Sequence, residues 1–245
     1  MNTFSTTIRR VRLGLAMFAS VFLWGSAGTA RAGSTLWYNG DFNGVAQLAN
    51  EQVTPATYNS VYDDFIVPTG QIWNINQVFS NNEMTTTVTQ AYWEVRSGVS
   101  SGVAGTLLDS GTGAATQTPT GRSGPLGNEY TVAVTGLNVT LSAGTYFLTV
   151  NPLDSAPNSS FITTTSGMNA VGMPPGNDDN SFFNSTIFST NYEQASDFVG
   201  FPADFSMGVS GLSQSVPEPT TLLLGLIGAL TGFGCAWCRR RPRVR

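Results

Sequence analysis

The residues able to do chemistry are few, and their types decide most of what the chain can be. It contains no His and no Lys, and its two Cys, Cys235 and Cys238, lie inside an apolar stretch near the C-terminus. Ser-His-Asp and Cys-His nucleophiles, Schiff bases and His-ligated zinc are therefore excluded from the body. The Cys-x-x-Cys pair has no His or second Cys pair to complete a zinc site, so its plain reading is as small helix residues. Carboxylates remain. Asp41, Asp63 with Asp64, and Asp178 with Asp179 stand in oxygen-rich turns of the kind that hold hard cations, and they are the candidate calcium ligands; turn capping by Asp and Asn accounts for the same clusters without an ion. No cofactor is expected, and Ca²⁺ is the one candidate ion. A glycosidase would need two positioned carboxylates, and no motif singles out a pair, so the chain is not expected to be an enzyme.

One aromatic stands out. In Tyr92-Trp93-Glu94-Val95-Arg96, strand alternation puts Trp93 and Val95 on one face and Tyr92, Glu94 and Arg96 on the other. Trp93 reads as core. Tyr92, beside two charged residues, is the candidate stacking platform for a sugar ring, a position that equally suits a cross-strand packing partner.

The elements that must carry these side chains are strands. Gly, Thr, Ser and Asn supply 81 of the 183 residues between Gly33 and Ser215, a composition that disfavours helices and, with β-branched and aromatic residues interleaved, favours short strands joined by turns. Apolar residues alternate in Tyr130-Thr131-Val132-Ala133-Val134 and again in Tyr146-Phe147-Leu148-Thr149-Val150, and no stretch keeps a 3.6-residue apolar period. About a dozen strands are expected, among them Val61 to Val67, Trp73 to Phe79, Thr106 to Asp109, Phe182 to Phe188 and Asp197 to Phe201. Turns are expected at Pro68-Thr69-Gly70 and Ser142-Ala143-Gly144. The pattern predicts an all-β domain over 33–215, a single antiparallel β-sandwich of jelly-roll type.

Both ends carry a different signal. Arg9, Arg10 and Arg12 precede an apolar run from Leu13 to Trp24, and Ala30-Arg31-Ala32 supplies the small residues of a cleavage site ahead of Gly33. Residues 1–32 thus read as a signal peptide with a helical apolar segment. At the other end Pro217-Glu218-Pro219 is followed by an uncharged apolar stretch from Leu222 to Cys238, then by Arg239, Arg240, Arg241, Arg243 and Arg245. Seventeen helical residues span roughly 25 Å, a minimal membrane helix. The Arg cluster would stay cytoplasmic and the body on the far side, the topology that the signal peptide also demands.

The order Pro-Glu-Pro, short apolar helix and terminal Arg cluster over 216–245 resembles the PEP-CTERM sorting tail of exported proteins from Gram-negative bacteria that make exopolysaccharide. The resemblance implies signal peptidase and an exosortase as processing partners. It also implies passage through the inner membrane, transient anchoring there, and a final place at the cell surface or outside it. A second resemblance covers about 36–210: Tyr62-Asp63-Asp64-Phe65, Trp93-Glu94-Val95-Arg96, Gly105-Thr106-Leu107-Leu108-Asp109-Ser110-Gly111 and Val139-Thr140-Leu141-Ser142-Ala143-Gly144-Thr145-Tyr146-Phe147-Leu148 are similar to the exported β-rich bodies grouped as choice-of-anchor domains.

Charge narrows the partners. Between Gly33 and Ser215 only Arg96 and Arg122 stand against fourteen Asp and Glu, a balance of 2 − 14 = −12, so nucleic acid is excluded as a partner. The function expected is that of a non-catalytic exported surface or matrix protein, associated with exopolysaccharide or biofilm; the alternative is a carbohydrate- or calcium-binding module with a defined ligand. The exported form should begin at Gly33 and lack the segment after Pro-Glu-Pro. Intact-mass measurement of the surface fraction from an exosortase-bearing host checks this, and a chain retaining Arg239 to Arg245 would leave only a simple membrane anchor.

Overall fold

The computed structural model describes residues 33–174, 178 and 180–216. The signal segment with Ala30 and Ala32, Asp179, and the tail with Pro217, Glu218, Pro219 and its Arg cluster lie outside the described residues. Within them the chain is mostly strand, as β1 (Ser34–Tyr38), β2 (Phe42–Ala49), β3 (Glu51–Thr54), β4 (Thr57–Met84), β5 (Gln90–Ser97), β6 (Thr106–Gly124), β7 (Gly127–Pro152), β8 (Ser160–Thr165), β9 (Phe182–Ser185), β10 (Thr190–Gln194), β11 (Asp204–Phe205) and β12 (Met207–Ser215). The helix α1 is a single turn, Ser196–Val199. Among the described residues no helix is long and apolar enough to cross a membrane.

All ladders between these strands are antiparallel. The main path runs β1-β12-β4-β7-β5-β6. Strand β4 joins two groups: its first residues pair with β3 and β9, and from Asp63 onward it pairs with β7, β12 and β8.

Two expected turns are strand. Pro68-Thr69-Gly70 lies inside β4 and Ser142-Ala143-Gly144 inside β7, because the two strands face one another there. Val67 pairs with Gly144 and Ile72 with Ser142, and the unequal lengths between those pairs form a bulge, with Gly70 at φ +78°. The turn chemistry is spent on a local excursion that leaves the ladder intact on both sides. Thr106 to Asp109 is likewise only the start of a longer strand: β6 pairs with β5 as far as Ala114 and with β7 from Ala115.

Two other expectations fail for local reasons. The strand expected to reach Phe188 stops at Ser185, whose Oγ accepts the backbone N–H groups of Ile187 and Phe188 at 3.0 and 2.9 Å and so curls the chain. Asp197 to Phe201 is not a strand. Val199 and Gly200 donate back to the carbonyls of Ala195 and Ser196, forming α1, which ends at Gly200 with φ +84°.

Alternation along β4 sets the core. Val61, Phe65 and Val67 fall on one face and join the main cluster, whose aromatic centre has Phe65 against Trp37 (5.3 Å between centroids), Tyr146 (5.7 Å) and Trp73 (6.1 Å, nearly parallel). Each such pair adds about 0.5–1.5 kcal/mol beyond the area it buries. Tyr62 points the other way, into a smaller cluster with Val99, Phe147, Phe182 and Tyr192.

Strand β12 leaves no room for a side chain at Gly211, where it faces β4. A Cβ there would lie 2.1 Å from the carbonyl oxygen of Asn74 and 2.9 Å from the Cα of Ile75, and backbone cannot rotate out of the way. Gly211→Ala should therefore cost about 2–3 kcal/mol and lower Tm by roughly 6 °C for a domain of this size. A thermal melt checks this; a shift under about 1 °C would mean that the two strands part without penalty.

Candidate functional site

Two strands build a cleft by the same period-two rule. On β4, Tyr58, Ser60 and Tyr62 share a face; on β5, Tyr92, Glu94 and Arg96 do the same. The two triplets line one cleft of about 280 Å³, closed by Gln52 of β3, Pro55, Thr112 of β6, Asn184 of β9 and Tyr192 of β10. Tyr62 and Tyr192 are buried, whereas Tyr58 and Tyr92 are half-exposed.

The centre of the cleft is an ion pair held by phenols. Glu94 Oε2 accepts from Arg96 Nε at 2.5 Å and from the Tyr62 hydroxyl at 2.9 Å, and Oε1 accepts from the Tyr92 hydroxyl at 2.5 Å. Burial alone would raise the Glu94 carboxyl, but Arg96 and the phenol donors outweigh it and hold it below the ordinary range. Burial, followed by the neighbouring Glu94, pushes the Tyr92 and Tyr62 phenols up, so both stay protonated donors. Arg96 also donates from Nη1 to the carbonyl of Ala104 at 3.2 Å. Its guanidinium carbon lies 6.0 Å from the Tyr62 ring centre and 5.8 Å from that of Tyr192, a cation–π arrangement on two sides. Glu94 is the one carboxylate among the residues lining the cleft.

The face expected for Tyr92, Glu94 and Arg96 is the face observed, and Trp93 is core at 5% exposure. Tyr58, Tyr62, Tyr192, Gln52 and Asn184 went unread. The spacing Tyr58-x-Ser60-x-Tyr62 carried the signal for two of them; Asn184 and Tyr192 arrive through the pairing of β9 and β10 beside β4, and Gln52 through the pairing of β3 with β4.

The candidate calcium ligands part company. Asp41 stands apart: its Oδ1 accepts from the Tyr38 hydroxyl at 2.7 Å and pairs with Arg122 at 3.1 Å, while Oδ2 accepts from Asn169 at 2.8 Å. Against the effect of burial, these partners hold its carboxyl below the ordinary range. Asp63, Asp64 and Asp178 do come near one another, together with Asp204, which the sequence reading did not single out. Asp63 is fully buried. Its Oδ2 accepts from Asn39 Nδ2 at 2.9 Å and from the Phe205 N–H at 2.6 Å, and its Oδ1 from the Asp64 N–H at 2.9 Å. Asp204 Oδ2 accepts from the Asp178 N–H at 2.7 Å. Two buried oxygens here, Asp64 Oδ1 and Asn39 Oδ1, have no hydrogen-bond partner among the described residues. No three His, Cys, Asp or Glu side chains among the described residues are placed to hold a metal ion together.

No protein-family model matches the chain, and neither the curated proteins nor the solved structures include one similar to it.

Burial, then the negative charge of Asp204, pushes Asp63 up; burial, then Asp178 and Asp204, pushes Asp64 up to about 7. A carboxyl raised in the folded state favours folding when protonated, and that contribution is lost as pH rises through the folded value. Tm should therefore increase as pH is lowered from 8 to 5. Below the ordinary carboxylate range the gain reverses, as the depressed Asp41, Glu94 and Asp154 take up protons. Asp64→Asn should flatten the rise and add about 1 kcal/mol at pH 8, which is roughly 3 °C. Thermal melts across that range check it, and a wild-type Tm that is flat or falls from pH 8 to 5 would contradict it.

Proposed function

We propose that the chain is a non-catalytic exported surface or matrix protein whose body, an antiparallel β-sandwich of jelly-roll type, binds carbohydrate in the cleft between β4 and β5. The observation that carries the reading is the cleft's lining. Two half-exposed tyrosines, Tyr58 and Tyr92, stand over a floor of buried Tyr62 and Tyr192, with the side chains of Gln52, Thr112 and Asn184 around them.

That combination suits a sugar ring. The C–H face of a pyranose packs on an aromatic ring, and its hydroxyls need neutral groups that both donate and accept. The bond from the Tyr92 hydroxyl to Glu94 fixes the ring in place before a ligand arrives, so little side-chain freedom is lost on binding. A single carboxylate, already engaged by three donors, suits binding better than glycoside cleavage, which uses two.

The routing signals at the two ends support the same setting. An exported protein whose tail is removed by an exosortase would meet exopolysaccharide at the cell surface, and a sugar-binding cleft gives it something to hold there.

Glycan-array screening followed by titration calorimetry tests the reading. The wild-type chain should bind at least one soluble oligosaccharide, and Tyr92→Ala and Tyr58→Ala should each weaken that binding roughly tenfold, the size of one lost aromatic contact. Tyr92→Phe, which keeps the ring, should lose much less. Binding that survives both alanine substitutions, or no binding to any glycan, would overturn the reading.

A further inference from the structure

The charge state of the cleft goes one step further than the carbohydrate reading on which it rests. We infer that the cleft takes uncharged sugars and rejects those bearing carboxylate or sulfate groups.

The first observation concerns the whole described surface. Arg96 and Arg122 are the only basic side chains between Gly33 and Val216, and both are already paired. Arg96 meets Glu94 at 2.5 Å, and Arg122 meets Glu129 at 2.5 Å and Asp41 at 3.1 Å. No cation among the described residues is left over for an anion. The balance of −12 over the same stretch adds long-range repulsion.

The second observation is local. Arg96 is held by Glu94, by the Ala104 carbonyl and by the rings of Tyr62 and Tyr192. A uronate reaching its remaining Nη hydrogens would set a second carboxylate beside Glu94, itself 7% exposed, with one positive charge between the two. One guanidinium cannot offset two carboxylates in a partly buried site, so repulsion and desolvation outweigh the added contact. The groups that remain available are neutral. Gln52 and Thr112 make no side-chain hydrogen bond among the described residues, and the Tyr58 hydroxyl accepts from Asn184 at 3.3 Å. An amide and a hydroxyl can serve neighbouring sugar hydroxyls as donor and acceptor alike.

Titration calorimetry on the full body in EDTA tests this. The probes are neutral hexose oligosaccharides, α- and β-linked, against oligogalacturonate and oligomannuronate of matched length. The expected result is binding to at least one neutral series, with the uronates at least tenfold weaker. Glu94→Gln keeps the shape and an acceptor for the phenols but releases the charge of Arg96, so it should narrow the gap at least tenfold. Arg96→Gln, which leaves Glu94 unmatched, should widen it and serves if Glu94→Gln does not fold. Uronates that bind the wild-type chain as tightly as neutral sugars would overturn the inference while leaving the carbohydrate reading intact. So would a gap that a folded Glu94→Gln leaves unchanged. Failure of both series to bind would overturn the reading and the inference together.

Discussion

Buried acidic side chains served largely by neutral groups are the constraint around which this fold is arranged. Glu51, Asp63, Glu83, Glu129 and Asp204 are all at 0% exposure, and Glu129 meets the guanidinium of Arg122. Neutral N–H groups serve Asp63 and Glu51. Asp63 takes the Asn39 amide and two backbone N–H groups. Glu51 takes the Asn59 amide and the backbone N–H groups of Asn158 and Ser160. Glu129 adds the hydroxyls of Thr120 and Thr163 to its Arg. Losing one such partner leaves a buried polar oxygen unsatisfied, which costs more than the bond itself contributes. Each carboxylate also fastens segments far apart in sequence. Asp63 ties the residue after β1 and the last residue of β11 to β4; Glu129 ties β6 and β8 to β7. The abundance of Asn, Ser and Thr, which at first signals only turns and strands, is in this light a supply of neutral donors for a body whose basic side chains are Arg96 and Arg122 alone.

The cleft uses the same grammar with one change of donor. Glu94 is satisfied by two phenols and an Arg, and the phenols belong to rings that also form the floor and one wall. Satisfying a buried charge and shaping a surface for a ligand are therefore one task here, performed by the same tyrosines. That is why the ring of Tyr92 can stand half-exposed without being loose.

How much of this was legible follows from what each signal can carry. Composition and alternation suffice for an all-β chain and for which face of β5 holds Tyr92, Glu94 and Arg96, because period two is a local property. Strand length was not legible. Pro68-Thr69-Gly70 has the residues of a turn, and only the opposing β7 reveals that it forms a bulge. The end of β9 at Ser185 depends on a side-chain bond that alternation does not encode. The carboxylate group shows the same limit. Asp63-Asp64 is visible as a pair, but Asp204 reaches it through the pairing of β11 with β8 and the bond from Phe205 to Asp63. Long-range register decides which local features become neighbours.

Strand β12 lies between β1 and β4, pairing with β4 from Met207 opposite Ser80 to Ser215 opposite Gln71, and with β1 from Gly208 to Gly211. A load applied to the chain beyond Ser215 and resisted by a ligand in the cleft would pull along β12, at right angles to the hydrogen bonds of both ladders. Those bonds would then be stretched side by side instead of parting one after another as in a zipper. Single-molecule pulling in that direction should meet one stiff, high-force rupture; a low, gradual yield would mean that β12 peels. The placement of one strand would thus make the body resist a pull from that end as a clamp does.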